Sequence, residues 1–211
     1  MAQSRKYLEI VAHYESCLTR HGDTHLGVNW PDPDDAARRY DVMLEVIREN
    51  QQDRVSLLDF GCGASHLLER IVERGLSHAI EYAGLDLSPS FIQLSRAKFP
   101  SCRYYTLDLL KDALGLPEFD YVIMNGVFTE KRDLSFEEML GYFQALVALA
   151  FRHVRVGMAF NVMSKQVDWE RNDLFHLPFD VAAAFLASQV SRHFIFRHDY
   201  RLYEYTAYVY R

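Results

Sequence analysis

The 211-residue sequence predicts an α/β protein: a doubly wound, mostly parallel seven-stranded sheet with an antiparallel C-terminal hairpin strand and an N-terminal helical extension. Three observations carry this expectation. Between residues 55 and 162, short apolar runs that stop at polar residues alternate with helix-period segments, the pattern of parallel strands joined by crossover helices. The stretch before residue 52 holds helix-period segments and no strand-like run. Residues 194–198 and 203–210 are strand-like with too little chain between them for a crossover, so they must pair as a hairpin.

Taken in order, Tyr7, Val11, Tyr14 and Leu18 repeat at helical spacing over residues 3–20, and Gly22 ends that helix. Pro31 and Pro33 forbid regular structure in the loop that follows. Asp34 is positioned to cap a second helix with Ala37, Tyr40, Leu44 and Ile47 on one face. Residues 55–59 form the first strand, and Leu67, Leu68, Ile71 and Val72 give the next helix its buried stripe, closed by Gly75. Residues 82–86 form a second strand, after which Ser88 and Pro89 make a helix start, cap and first position. Residues 103–107 and 121–124 are the third and fourth strands, the latter halted by Asn125-Gly126. Ser135 with Glu138 forms a capping box that opens a helix, residues 156–162 are the fifth strand, and a last helix covers 180–192.

Length allows one domain, residues 1–211, with 1–52 as a helical extension or lid and 53–211 as the core. A net charge of -6 and the absence of a Lys/Arg run argue against nucleic acid as the partner, since phosphate binding needs a concentrated basic surface. Arg5, Lys6 and Glu9 interrupt any signal-like stretch, and no apolar run approaches the roughly 20 residues of a membrane helix, so no membrane is expected and the cytosol is the default compartment. Cys17, Cys62 and Cys102 are odd in number and widely spaced, which suggests neither disulfides nor zinc, and no His/carboxylate cluster at ligand spacing points to a metal. The 14 Phe and 13 Tyr read as core and strand residues.

In an open parallel sheet, ligands bind beyond the carboxyl ends of the strands. Asp59, Asp86, Asp108 and Asn125 all stand at strand ends and would line one crevice. Gly61 and Gly63 let the backbone turn sharply, and Asp86 is placed to accept from ribose hydroxyls. GCGASH has no third glycine at the mouth of the helix, which disfavours a pyrophosphate and leaves an adenosine ligand without phosphates. Asp59 either braces the glycine turn or touches that ligand.

DFGCGASH resembles the first motif of class I S-adenosylmethionine-dependent methyltransferases, commonly DxGCGxG. GLDLS at 84–88 is similar to the acidic second motif of that family, and TLDLL at 106–110 and FDYVIMNGVF at 119–128 follow in order. The resemblance covers about residues 55–128. It implies S-adenosyl-L-methionine as cofactor, with Gly61, Cys62 and Gly63 at its methionine part, Asp86 and Leu87 at the ribose, Asp108 and Leu109 at the adenine, and Asn125 beside the methionine end or the acceptor. Ser65 stands where the family usually has a third glycine. Cys62 is tolerated at its place in the motif, which leaves a nucleophilic role without support.

Methyl transfer from a sulfonium needs an aligned acceptor, excluded water and, for a hydroxyl, a base. Residues 167–176 pack Trp169, Glu170, Arg171, Asp173 and His176 beyond the fifth strand. His176 is the first candidate base, its ordinary pKa being near neutrality, and Glu130 the second. Arg39 would pair the methionine carboxylate, with Tyr40 or Trp30 as part of a lid. The expected activity is methyl transfer to a small polar acceptor, a hydroxyl of a sugar or other metabolite. Two alternatives remain open: a non-catalytic cofactor-binding module, and a nicotinamide-dependent oxidoreductase, against which Ser65 and the terminal hairpin argue.

Overall fold

The computed structural model describes residues 6–48, 54–112 and 115–211. The expected helix start at residue 3 and the boundary at 52/53 lie outside the described residues. Helix α1 spans Tyr7–His21 and is closed by Gly22 in a left-handed conformation, φ 62°. Helix α2 spans Pro33–Leu44, and its cap is Asp32, whose carboxylate accepts from the N–H groups of Asp34 and Asp35. This corrects two expectations. Pro33 does not lie outside regular structure but opens the helix at its first position, where a missing N–H costs nothing, and Asp34 lies inside the first turn.

The core follows as β1 (Val55–Phe60), α3 (His66–Glu73), β2 (Ile80–Leu85), α4 (Pro89–Lys98), β3 (Arg103–Tyr105), β4 (Phe119–Phe128), α5 (Phe136–Phe151) and β5 (Val154–Ser164). Ser88 caps α4 through Phe91 N, and Ser135 with Glu138 closes both halves of the expected capping box on α5. The chain ends with β6 (His176–Leu177), α6 (Phe179–Phe185), a π-helical turn (Leu186–Val190), β7 (His193–Arg197) and β8 (Glu204–Tyr210).

The strands lie in the order β3-β2-β1-β4-β5-β8-β7, with β6 beside the end of β5. Pairings from β3 to β5 are parallel, while β8 runs antiparallel to both β5 and β7. The sheet is therefore the doubly wound one expected, with an eighth strand of two residues at His176–Leu177 added to the seven. The expected helix over 180–192 divides into α6 and the π turn.

Alternation along the strands sends side chains to two cores. Leu58, Val122 and Phe160 face α5 and α6, and Leu57, Tyr121 and Ala159 face α2 and α3. At the centre of the first core, the Phe143 ring lies 5.1 Å from Phe128, 5.3 Å from Phe160 and 5.4 Å from Phe185, edge to face in each case. The high aromatic content is thus largely core. Among the described residues no helix is long and apolar enough to cross a membrane.

One strand departs from expectation at the place that matters. β4 does not stop at Asn125-Gly126 but runs on to Phe128, with a register shift against β5 between Met124 and Phe128 and Gly126 at φ 77°. Asn-Gly here makes a bulge instead of a turn, and bulges re-aim the strand next to sites.

Candidate functional site

Between β1 and α3 the backbone takes left-handed conformations at alternate residues: Gly61 (φ 75°), Gly63 (φ 51°) and Ser65 (φ 60°). The N–H groups of Gly61 and Cys62 donate to Leu85 O at 2.7 and 3.0 Å, folding the turn back onto β2. Asp86 completes it, one carboxylate oxygen accepting from Gly63 N and the other from Ser88 N, both at 2.9 Å. The bracing considered for Asp59 is therefore done by Asp86. A Cβ on Gly61 would come within 2.7 Å of Val127, so this position needs glycine for space as well as for its φ.

Beneath the turn lies a buried polar cluster. Tyr82 donates to Asp59 at 2.8 Å, and the Ser65 hydroxyl lies 3.1 Å from the Tyr104 hydroxyl and 3.4 Å from that of Tyr82. Burial pushes the Asp59 carboxyl up to about 7, against the Tyr82 hydrogen bond and with help from the Asp86 charge. Burial also raises Asp86, to about 6, against its backbone donors. The Cys62 thiol is held well above its ordinary value by burial and the charges of Asp86 and Asp59, so it carries no nucleophilic thiolate.

This turn forms one wall of a cavity of about 130 Å³. Asp59, Gly61, Cys62, Gly63, Asp86, Leu87, Asn125 and Tyr40 all line it, together with Tyr7, Ile10, Val11 and Tyr14 on one face of α1. Three of the positions expected to hold the cofactor fall elsewhere. The Asp108 carboxylate is taken by the Tyr7 hydroxyl and by Lys111, both at 2.7 Å, which sets it behind Tyr7. The Leu109 side chain is buried in the α5-side core. Arg39 donates through Nε to Glu204 at 2.9 Å, with its guanidinium 4.1 Å from the Trp30 ring centroid.

A second cavity, of about 580 Å³, shares Tyr14 and Trp30 with the first. Arg39, Glu130 and His176 line it, as do His13, Asn29, Trp169 and Tyr203. His176 does not present a free nitrogen: Nδ1 pairs with Ser164 O at 2.7 Å and Nε2 accepts from Arg171 N at 3.2 Å. Both ring nitrogens hold main chain, so His176 fastens the 165–175 loop, which corrects its reading as general base. Glu130 is 5% exposed and accepts from Asn29 Nδ2 at 2.9 Å. Tyr14 lies at the junction, its hydroxyl donating to Gly126 O at 3.2 Å.

A buried chain of polar contacts runs beside this junction. Arg39 binds one oxygen of Glu204, Asn161 Nδ2 donates to the other at 3.0 Å, and Asn161 Oδ1 accepts from Gly126 N at 2.7 Å. Among the described residues, Arg39 Nη1 and Asn125 Oδ1 are buried without a hydrogen-bond partner. A buried donor and acceptor left open are costly unless a ligand meets them. Asn125 is a wall of the smaller cavity and Arg39 a wall of the larger, and the Gly61 cradle admits no side chain, so these residues fit an adenosyl ligand bearing an amino acid group. His13, Asn29 and Tyr14 were missed in the sequence. For Tyr14 the 7, 10, 11, 14 spacing on α1 was the available signal, since it marks the face turned to the smaller cavity, whereas no local pattern singles out His13 or Asn29.

Residues 58–149 match the family described as methyltransferase domain. A protein of Mycobacterium tuberculosis named as a methyltransferase is 28% identical over 161 residues, 74% of this chain and 93% of its own length. Magnesium protoporphyrin IX methyltransferase from Synechocystis, solved with S-adenosylmethionine bound, superposes with a TM-score of 0.67 at 14% identity, over 100% of this chain and 99% of that one. An amino pentose methyltransferase from Micromonospora echinaspora does so with a TM-score of 0.54 at 18% identity, over 93% and 96%. The domain match over residues 58–149 and the 28% identical relative support the methyltransferase resemblance carried by the motifs, and the solved structures show that the chain has the fold of S-adenosylmethionine-dependent methyltransferases.

Proposed function

We propose that the chain binds S-adenosylmethionine in the smaller cavity and transfers its methyl group to a hydroxyl of a small polar acceptor, such as a sugar, held in the larger one. The observation that carries this reading is the meeting of the two cavities at Tyr14 and Trp30, with the glycine turn and Asp86 on one side and a polar, aromatic chamber on the other. The acceptor of the Micromonospora enzyme, an amino pentose, belongs to the same class of molecule.

When bound, the cofactor supplies an electrophilic methyl on a sulfonium. The chain's residues bind, orient and dry the site. Asp86 takes the ribose hydroxyls, exchanging part of its hold on the turn for them. Asn125 Oδ1 accepts from the ammonium of the methionine part, and Arg39 Nη1, held by Glu204 against Trp30 where the two cavities meet, would donate to a carboxylate that reaches that junction. Asp108 reaches the adenine amine through release of Tyr7, while Leu109, its side chain in the core, contributes main chain. The face of α1 that lines the cavity serves as a lid and excludes water. Trp169 and Tyr203, 70% and 63% exposed at the larger cavity, offer ring faces to a sugar.

Calorimetry with S-adenosylmethionine, S-adenosylhomocysteine and NAD, followed by mass spectrometry of a panel of methyl glycosides incubated with the donor, tests this directly. Binding of the first two but not NAD, with a mass gain of one methyl, is the expected result. Tight NAD binding alone would overturn the donor reading, and donor binding without transfer to any glycoside would favour a cofactor-binding module.

A further inference from the structure

We propose that His13 takes the proton from the acceptor hydroxyl and that Glu130, acting through Asn29, holds the imidazolium that forms. This inference rests on the hydroxyl-transfer reading above. His13 lines the larger cavity and precedes Tyr14, the residue common to both chambers, with the two rings 5.7 Å apart and edge to face. It therefore stands on the acceptor side of the junction. His176, the other histidine of interest there, has both ring nitrogens committed to backbone.

The surroundings of His13 form a connected polar group. Its Nε2 lies 3.8 Å from Cys17 Sγ, which is also 3.8 Å from Asn29 Oδ1. Asn29 Nδ2 donates to Glu130 Oε1 at 2.9 Å, and the other oxygen of Glu130 lies 3.4 Å from Arg132 Nη1. Asn29 holds a left-handed backbone, φ 62°, in the loop between α1 and α2. Asparagine is one of the few side-chain-bearing residues that adopts this region readily. The charged or titratable groups around His13 are Cys17 and Arg20 on its own helix and Glu130 and Arg132 beyond β4. Burial and Arg132 lower its pKa, so the imidazole is neutral and able to accept a proton at pH 7, while Glu130 opposes that shift and favours the imidazolium once formed.

In the transfer, a lone pair of the acceptor oxygen forms the new O–C bond to the methyl carbon. The S–C bond breaks with its electron pair retained by sulfur, which becomes a neutral thioether. The hydroxyl proton passes to His13, and the imidazolium later gives it to water at the open mouth of the larger cavity. Charge balances: the positive charge of the sulfonium ends on His13.

The test uses the full chain with S-adenosylmethionine and four hydroxyl probes: methyl α-D-glucopyranoside, methyl α-L-rhamnopyranoside, methyl β-D-xylopyranoside and catechol. On a probe that the wild type methylates, His13→Gln should lower kcat about 100-fold or more, keep the calorimetric Kd for S-adenosylmethionine within about 3-fold, and remove the acid limb of the kcat/KM profile. Added imidazole should restore turnover to His13→Gly, which a role confined to fastening the loop would not allow. Glu130→Gln should retain the acid limb but shift it to lower pH, because the imidazolium loses its carboxylate. Unchanged turnover and acid limb in His13→Gln, or a parallel loss of donor binding, would overturn the role of His13 and leave the methyltransferase reading in place. A wild type that binds the donor and methylates none of the probes would overturn the hydroxyl reading, and His13 with it.

Discussion

At position 65 a serine holds the left-handed backbone that a glycine would adopt without strain, and its hydroxyl compensates by joining Tyr82 and Tyr104 in a site closed to water. Side chain and backbone pull in opposite directions here. Ser65→Ala keeps the strain and strands the Tyr104 hydroxyl, while Tyr82 keeps its bond to Asp59, so it should cost roughly 1–3 kcal/mol in urea denaturation. Ser65→Gly relieves the φ and should cost less. Asp86 gives a second residue-scale prediction, read from donor binding. With its carboxyl raised to about 6, affinity for S-adenosylmethionine should rise as pH increases from 5 to 7, because the ionised form accepts from ribose hydroxyls better than the acid. Calorimetry across that range should show the rise in the wild type and a flat, weaker response in Asp86→Asn.

Among the elements, β4 and α2 show where local patterning stops being informative. β1, β2 and β5 are read readily because each is an apolar run ended by an acid, a glycine or a polar loop, and the site residues at their ends, Asp59 and Asp86, reach the cavity as expected. Asn125-Gly126 reads as a turn by composition, yet tertiary pairing with β5 and the Asn161 side chain carries the strand through it as a bulge. His176 looked like a free base because nothing in a linear sequence shows that Ser164 O and Arg171 N will meet its ring. His13 was hidden for the converse reason: its value depends on a loop and a strand end more than a hundred residues away in the case of Glu130. Asp32 and Asp34 compete on paper for the cap of α2, and Pro33 decides between them by occupying the first helical position. Asp32→Ala should therefore destabilise the protein by about 1 kcal/mol, while Asp34→Ala should change it by less than half of that. Thermal unfolding of the pair distinguishes the two. Gly126→Ala should be more harmful, since its Cβ would lie 2.9 Å from Trp30 at a φ of 77°. It should move the Trp30 ring and weaken donor binding.

For the molecule as a whole, stability and readiness for the ligand are set against each other. Asp59 titrates near 3.8 when exposed and about 7 when folded, so the folded state binds the extra proton between those values. Its contribution is fully present below about pH 4 and is lost as pH rises through 7, and Asp86 adds a loss centred lower, through about 6. Chemical denaturation from pH 4.5 to 8 should show stability falling across this window relative to Asp59→Asn, in which the slope is reduced. The buried Arg39–Glu204 pair imposes a different cost: Glu204→Gln leaves a guanidinium without its counter-charge and should destabilise by about 3–5 kcal/mol. Both tryptophans of the chain, Trp30 and Trp169, belong to the larger cavity. The protein is consequently its own optical probe. Trp169, open to solvent, emits from water and should be quenched or blue-shifted when a ring stacks on it, whereas Trp30, buried under a guanidinium, emits from a dry and charged setting. Emission from Trp169 then reports on the chamber of the acceptor and emission from Trp30 on both chambers, so with the donor already bound a library of unlabelled compounds can be screened by light alone.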